Sequence, residues 1–132
     1  MYKYRTDIRL HHTDAAGVVF FANFFVLAHD CYESFLQESI PIGSVLEENK
    51  FTVPIVHTDA DYLATLRVSQ TITIEMTLNK LGKRSFELGY VFKDQDDEVV
   101  ANITTVHVFL SKDAQQPTEM PQSLRKVLEQ LH

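Results

Sequence analysis

Cysteine, tryptophan, glycine and proline are all scarce in this chain: one Cys, no Trp, four Gly and four Pro among 132 residues. With Cys31 alone, an internal disulfide is excluded. That residue falls on an apolar helical face, where a thiol is expected to be buried and inert. The chain also lacks low-complexity tracts, internal repeats and anything resembling a linker, so residues 1–132 are expected to form one domain. No apolar stretch approaches the roughly 18 residues of a membrane span. The first ten residues do not resemble a signal peptide, because Lys3, Arg5, Asp7 and Arg9 alternate through them. A soluble cytoplasmic protein is the expectation. Basic residues are the minority, and the net charge of −6 argues against general affinity for nucleic acid or an anionic membrane. An anionic small ligand remains compatible, since it needs only a local basic cluster.

What the chain has in plenty is large apolar side chains. It is 45% hydrophobic, with nine Phe and five Tyr. Tyr2 to Leu10 alternates, with Tyr2, Tyr4, Thr6, Ile8 and Leu10 facing one way, as in a half-buried strand. A turn at His12 to Gly17 follows. From Phe21 a helical pattern begins, in which Phe21, Phe25, His29, Tyr32 and Leu36 share one stripe at about 100° per residue. Phe24, Ala28, Cys31 and Phe35 adjoin that stripe. Val26 and Leu27 do not fit it and mark a surface that a second subunit would cover. Ile40-Pro41 ends the helix, and a loop runs from Gly43 to Lys50.

Strand patterns occupy most of the remainder. Val53 to Leu63 reads as the second strand, and Ile72, Ile74, Met76 and Leu78 define the third. Leu81-Gly82-Lys83-Arg84 turns the chain into a fourth, with Phe86, Leu88, Tyr90 and Phe92 on one face. Asp94 to Asp97 is a polar hairpin turn, and Glu98 to Ser111 forms the last long strand. Pro121 opens a short helix carrying Leu124, Val127, Leu128 and Leu131. One strand, one long helix and then mostly antiparallel strands make an α+β domain with a helix on a sheet.

The chemistry-bearing stretch is Asp14-Ala15-Ala16-Gly17-Val18-Val19-Phe20-Phe21. It puts a carboxylate in a tight turn just before a helix N-terminus, whose open N–H groups can hold an oxyanion. An attacking or deprotonating group beside such a dipole is a minimal acyl-transfer site. The plainer reading is that Asp14 caps the turn by bonding nearby N–H groups. Spacing alone leaves both open.

The same stretch resembles the Asp-x-x-Gly-x-Val signature of the 4-hydroxybenzoyl-CoA thioesterase family, and the resemblance extends from about Tyr4 to Leu110. It implies the hotdog fold, a curved antiparallel sheet wrapped around one long helix. It further implies a homodimer joined edge to edge, with dimers of dimers as the expected assembly and active sites between subunits. Asp14 stands at the position of the family's catalytic carboxylate, as nucleophile or as base toward water. The Phe21 backbone N–H would hold the thioester carbonyl, and Gly17 would permit close approach of substrate. CoA enters as part of the acyl-CoA substrate, so no cofactor is expected. No metal is expected either, because His11, His12, Asp14 and His29 lack ligand spacing.

Within that family, Phe21 and the run His29-Asp30-Cys31-Tyr32-Glu33-Ser34-Phe35-Leu36 look like the branch that hydrolyses 1,4-dihydroxy-2-naphthoyl-CoA in quinone biosynthesis. The resemblance places Phe25 and His29 beside the acyl ring, where a neutral imidazole can bond a ring hydroxyl. Pro54-Ile55-Val56-His57 resembles a pocket wall, which makes His57 a candidate substrate contact. Lys83 and Arg84 precede Ser85-Phe86, as basic residues do near the CoA tail in related enzymes. Two rival expectations are an aliphatic short- or medium-chain acyl-CoA thioesterase and a non-catalytic acyl-CoA-binding module.

Overall fold

The computed structural model describes residues 1–39 and 51–131. The expected helix stop at Ile40-Pro41 and the loop from Gly43 to Lys50 lie outside the described residues. β1 (Tyr2–Asp7) leads through a 3₁₀ turn at Leu10–His12 into the long helix α1 (Phe21–Ser39). Then come β2 (Phe51–Thr52), β3 (Ile55–Tyr62), β4 (Thr71–Leu81), β5 (Ser85–Lys93), β6 (Val99–Val108), β7 (Leu110–Ser111) and α2 (Gln122–Leu128). The main sheet has the order β1-β4-β5-β6-β3 and every pairing in it is antiparallel.

Period-two patterning puts the inner face of the sheet where expected. Ile72, Ile74 and Met76 on β4 and Phe86, Leu88, Tyr90 and Phe92 on β5 are all buried. The helix touches the sheet from one edge to the other. Tyr2 on β1 meets Phe35 edge-on at 5.4 Å, and its hydroxyl lies 2.7 Å from Ser34 Oγ. Phe24 meets Phe92 on β5 at 5.5 Å and Tyr62 on β3 at 5.1 Å. A single helix reaches both outermost strands only if the sheet curls around it, which is the hotdog arrangement. α2 closes one end through buried Leu124, Val127 and Leu128, and Leu78 N–H bonds the Leu131 carbonyl at 3.0 Å.

Three sequence expectations change. Leu10 is not an inward strand residue but is 77% exposed, because β1 ends at Asp7 and the chain tightens into the 3₁₀ turn. The Val53–Leu63 segment is shorter than predicted, and a separate β2 pairs with β7 while β3 pairs with β6. Pro54, which has no N–H to donate, stands between the two pieces. The buried stripe of α1 is Phe24, Leu27, Ala28, Cys31, Tyr32, Phe35 and Leu36. Leu27 is therefore core, while Val26 is 49% exposed. Phe21, Phe25 and His29 lie at the margin of that stripe. Cys31 is fully buried, and burial pushes its thiol pKa up to about 12, so it is a packing residue without thiolate character.

Candidate active site

The loop between β1 and α1 is pinned by backbone. Thr13 pairs with Val19 and Val18 with Arg67 in isolated antiparallel bridges. Asp14 N–H bonds the Val18 carbonyl at 2.9 Å, and Gly17 N–H returns to the Asp14 carbonyl at 3.0 Å. Closing so short a turn puts Gly17 at φ +80, where an L side chain is strained by about 1–2 kcal/mol. Outside the loop, Val19 N–H bonds the Leu66 carbonyl at 2.8 Å. The His12 carbonyl collects Phe20 N–H at 3.0 Å and Asn23 Nδ2 at 2.9 Å. The loop is thus tied both to the following segment and to the first turn of α1.

Asp14 is exposed, and one carboxylate oxygen accepts the Ala16 N–H at 2.8 Å. That bond orients the side chain through one of its two oxygens. Phe21 is the first residue of α1. Its carbonyl accepts the Tyr62 hydroxyl at 3.1 Å, fastening the first turn to the edge strand. Among the described residues no backbone acceptor takes the Phe21 N–H, which belongs to the open donors of a helix start. The Thr13–Val19 bridge closes the loop, with Asp14 inside it next to Thr13 and the start of α1 just beyond Val19 on the other side of the pairing.

A cavity of about 100 Å³ lies between α1 and the sheet, lined by Phe25, His29, Ile55, Thr58, Tyr90 and Thr105. Phe25 and His29 stand one and two turns below Phe21, about 6 and 12 Å along the helix axis. The sequence-predicted residues therefore fall into two groups. Asp14, Gly17 and Phe21 form the loop and helix start, and Phe25 and His29 descend from it into the cavity.

His57, Lys83 and Arg84 are not brought to that cavity within one protomer. A register shift between Ile55 and His57 leaves Ile55 and Thr58 facing inward. His57 pairs instead with Asp59 at 3.3 Å on the outer side, and both are well exposed. Lys83 and Arg84 are exposed in the β4–β5 turn. That turn sits at the far end of β4 from Thr71, roughly 30 Å away at strand rise. Lys83 there borders an open cleft of about 510 Å³ together with Glu119, Gln122 and Arg125. Pattern reading missed Asn23, Tyr62, Tyr90 and Thr105 as site-forming residues. Nothing in their spacing signals the role, which depends on contacts between α1, β3, β5 and β6.

Residues 8–128 match the model of the thioesterase-like superfamily, and the chain belongs to that family. It is 34% identical over 128 residues to the 1,4-dihydroxy-2-naphthoyl-CoA hydrolase of Crocosphaera subtropica, covering 95% of this chain and 93% of that one. It is 33% identical over 131 residues to the enzyme of the same name from Rippkaea orientalis, covering 97% and 95%. Among solved structures, the 1,4-dihydroxy-2-naphthoyl-CoA thioesterase of Synechocystis superposes with a TM-score of 0.92 at 23% identity, over 98% and 96% of the two chains. At that identity the likeness establishes the fold. A gentisyl-coenzyme A thioesterase is 27% identical with a TM-score of 0.81, over 96% and 98%.

Proposed function

We propose that the protein is an acyl-CoA thioesterase that hydrolyses an aryl-CoA, and that 1,4-dihydroxy-2-naphthoyl-CoA of quinone biosynthesis is its substrate. The observation that supports this reading is the pinned loop, which presents an exposed Asp14 in the segment leading into the open first turn of α1, with a part-aromatic cavity further along the same helix. The Phe21 N–H would take the developing oxyanion, a donor that needs no reorganisation during the reaction. Asp14 would act on the carbonyl directly, releasing CoA thiolate and leaving a mixed anhydride for water, or would take a proton from the attacking water. The Crocosphaera subtropica and Rippkaea orientalis relatives described above carry the naphthoyl-CoA hydrolase name, which supports the aryl choice.

A homodimer follows from the same reading. The cavity is well below the few hundred Å³ usual for a ligand site. β3 is one of the two outermost strands, and Ile55, Val56, Tyr62 and Leu63 on or next to it are 42–59% exposed. Phe21 and Val26 add apolar surface from α1, at 59% and 49%. An apolar strand edge of this kind is a template for pairing. Antiparallel pairing of two β3 strands would bring the second copy's β4–β5 turn, with its Lys83 and Arg84, to the end of the sheet where Asp14 lies. Basic groups too distant within one protomer would then reach the phosphates of the bound CoA.

The deciding experiment is steady-state thiol release from a panel of acyl-CoAs. We expect kcat/KM to favour naphthoyl and benzoyl thioesters over hexanoyl- and octanoyl-CoA, because Phe25 and its aromatic neighbours pack on planar rings. Equal or faster turnover of octanoyl-CoA would replace this reading with the aliphatic one, and no turnover of any substrate would leave a binding module. His29 provides a second measurement. It lies at the cavity wall, edge-on to Tyr32 at 5.7 Å, and is itself exposed. His29→Phe should lower kcat/KM for the dihydroxynaphthoyl thioester roughly 2- to 13-fold, the range of one ordinary hydrogen bond. Benzoyl-CoA turnover should stay unchanged. Equal losses on both substrates would make His29 a packing or interface residue.

A further inference from the structure

The inner end of the cavity carries a polar chain that Asp14 and Phe21 do not use. Tyr90 on β5 and Thr105 on β6 line it, and they are only 2% and 5% exposed. Thr105 Oγ1 lies 3.3 Å from Tyr90 Oη and 2.9 Å from His107 Nε2. His107 is buried, stacked on Phe86 at 4.6 Å with the rings 6° from parallel, and packed against Tyr32 at 4.8 Å. Burial, with His29 adding a smaller effect, draws its pKa down to about 4, so the ring is neutral at pH 7.

The unpaired atom sets the direction of the chain. His107 Nδ1 is buried with no hydrogen-bond partner. A neutral imidazole has one N–H and one lone pair. Leaving the lone pair rather than the N–H without a partner assigns the proton to Nε2, which then donates it to Thr105 Oγ1. Thr105 then donates its single proton to Tyr90 Oη. The Tyr90 proton is left over at the cavity wall, and burial raises the Tyr90 pKa so that the phenol keeps it.

We infer that Tyr90 is a specificity-determining donor to a ring oxygen of the acyl group, with Thr105 and His107 as the positioning residues that fix its direction. This rests on the aryl-CoA reading and deepens it. With the thioester carbonyl at the Phe21 N–H, a hydroxyl ortho to the carbonyl stays beside the reacting centre. The 4-oxygen, meta to the acyl-bearing carbon, is then the one that would reach past Phe25 toward Tyr90.

The test compares 1,4-dihydroxy-2-naphthoyl-CoA with 1-hydroxy-2-naphthoyl-CoA, which lacks that distal oxygen, on wild type, Tyr90→Phe, Thr105→Val and Thr105→Ser. Tyr90→Phe should cut kcat/KM for the dihydroxy substrate about 5- to 150-fold, as for a buried group deprived of its partner. The monohydroxy substrate should stay within about threefold, a change too small to represent that loss. Thr105→Val should reproduce the selective loss, and Thr105→Ser, which keeps the hydroxyl, should restore discrimination. Melting curves establish that each variant is folded, and Thr105→Val carries the test should Tyr90→Phe not fold. Equal losses on both substrates, or an unchanged Tyr90→Phe, would overturn the inference. Failure of the wild-type protein to hydrolyse either aryl thioester would instead overturn the aryl-CoA reading itself.

Discussion

Asp14→Asn should lose most turnover while melting as the wild type does. The amide still offers an oxygen to the Ala16 N–H, so the 2.8 Å bond that orients the side chain has a replacement. It cannot, however, attack a thioester carbonyl or take a proton from water. Loss of general-base action alone corresponds to about 10²–10⁴-fold in kcat, and loss of a nucleophile reaches further. The measurement is kcat for aryl-CoA hydrolysis alongside a thermal melt. Near-wild-type kcat in a folded Asp14→Asn protein would return Asp14 to the role of a turn cap. Asp14 is exposed, and the Ala16 N–H bond uses only one of its two carboxylate oxygens.

Phe24→Ala should have the largest effect on stability that also reaches the site. Phe24 is 3% exposed and bridges Phe92 at the centre of the sheet and Tyr62 at its edge. Truncating a buried Phe costs about 3–5 kcal/mol, the sum of lost burial and an unfilled cavity. For a chain of this length that is a fall of roughly 10–20 °C in melting temperature. Tyr62 also holds the Phe21 carbonyl, so loosening its ring frees the helix start whose N–H we propose as the oxyanion donor. Folded Phe24→Ala protein should therefore show reduced kcat even at low temperature. Leu128→Ala in α2 is the matched control. Leu128 is fully buried but remote from the helix start, so a loss of about 2–5 kcal/mol should leave kcat of the folded protein intact. Equal kcat in the two variants would separate the aromatic bridge from catalysis.

Much of the fold was legible because its parts are local. Alternation along β4 and β5 requires only that neighbouring side chains point to opposite faces, and Phe86, Leu88, Tyr90 and Phe92 are buried as that rule demands. The turn at Asp94 follows from an Asp side chain bonding the N–H groups of Asp96 and Glu98 at 2.9 and 3.0 Å. The helix stripe was read one margin off. Phe21, Phe25 and His29 are apolar or aromatic at the right spacing, and a periodicity weights every such side chain toward the core. It carries no information on whether the neighbouring surface is core, cavity or open edge.

The candidate site divides along the same line. The turn carrying Asp14 and Gly17 and the helix entry at Phe21 were legible because a tight turn entering a helix is a contiguous device; their proposed roles come from the family resemblance, since spacing alone left Asp14 open between cap and catalyst. His57 shows the opposite limit, since one irregular step after Ile55 reverses which side of the sheet it faces. Sequence by itself determined the α+β class, the order of elements, the inward faces of the central strands and the carboxylate before the helix. Only the tertiary structure decided that Tyr62 clamps the helix start, that β3 is an exposed edge, and that Tyr90, Thr105 and His107 join in one polar chain. Those contacts come from registers between strands distant in the sequence, and a period read along one strand does not specify the partner beside it.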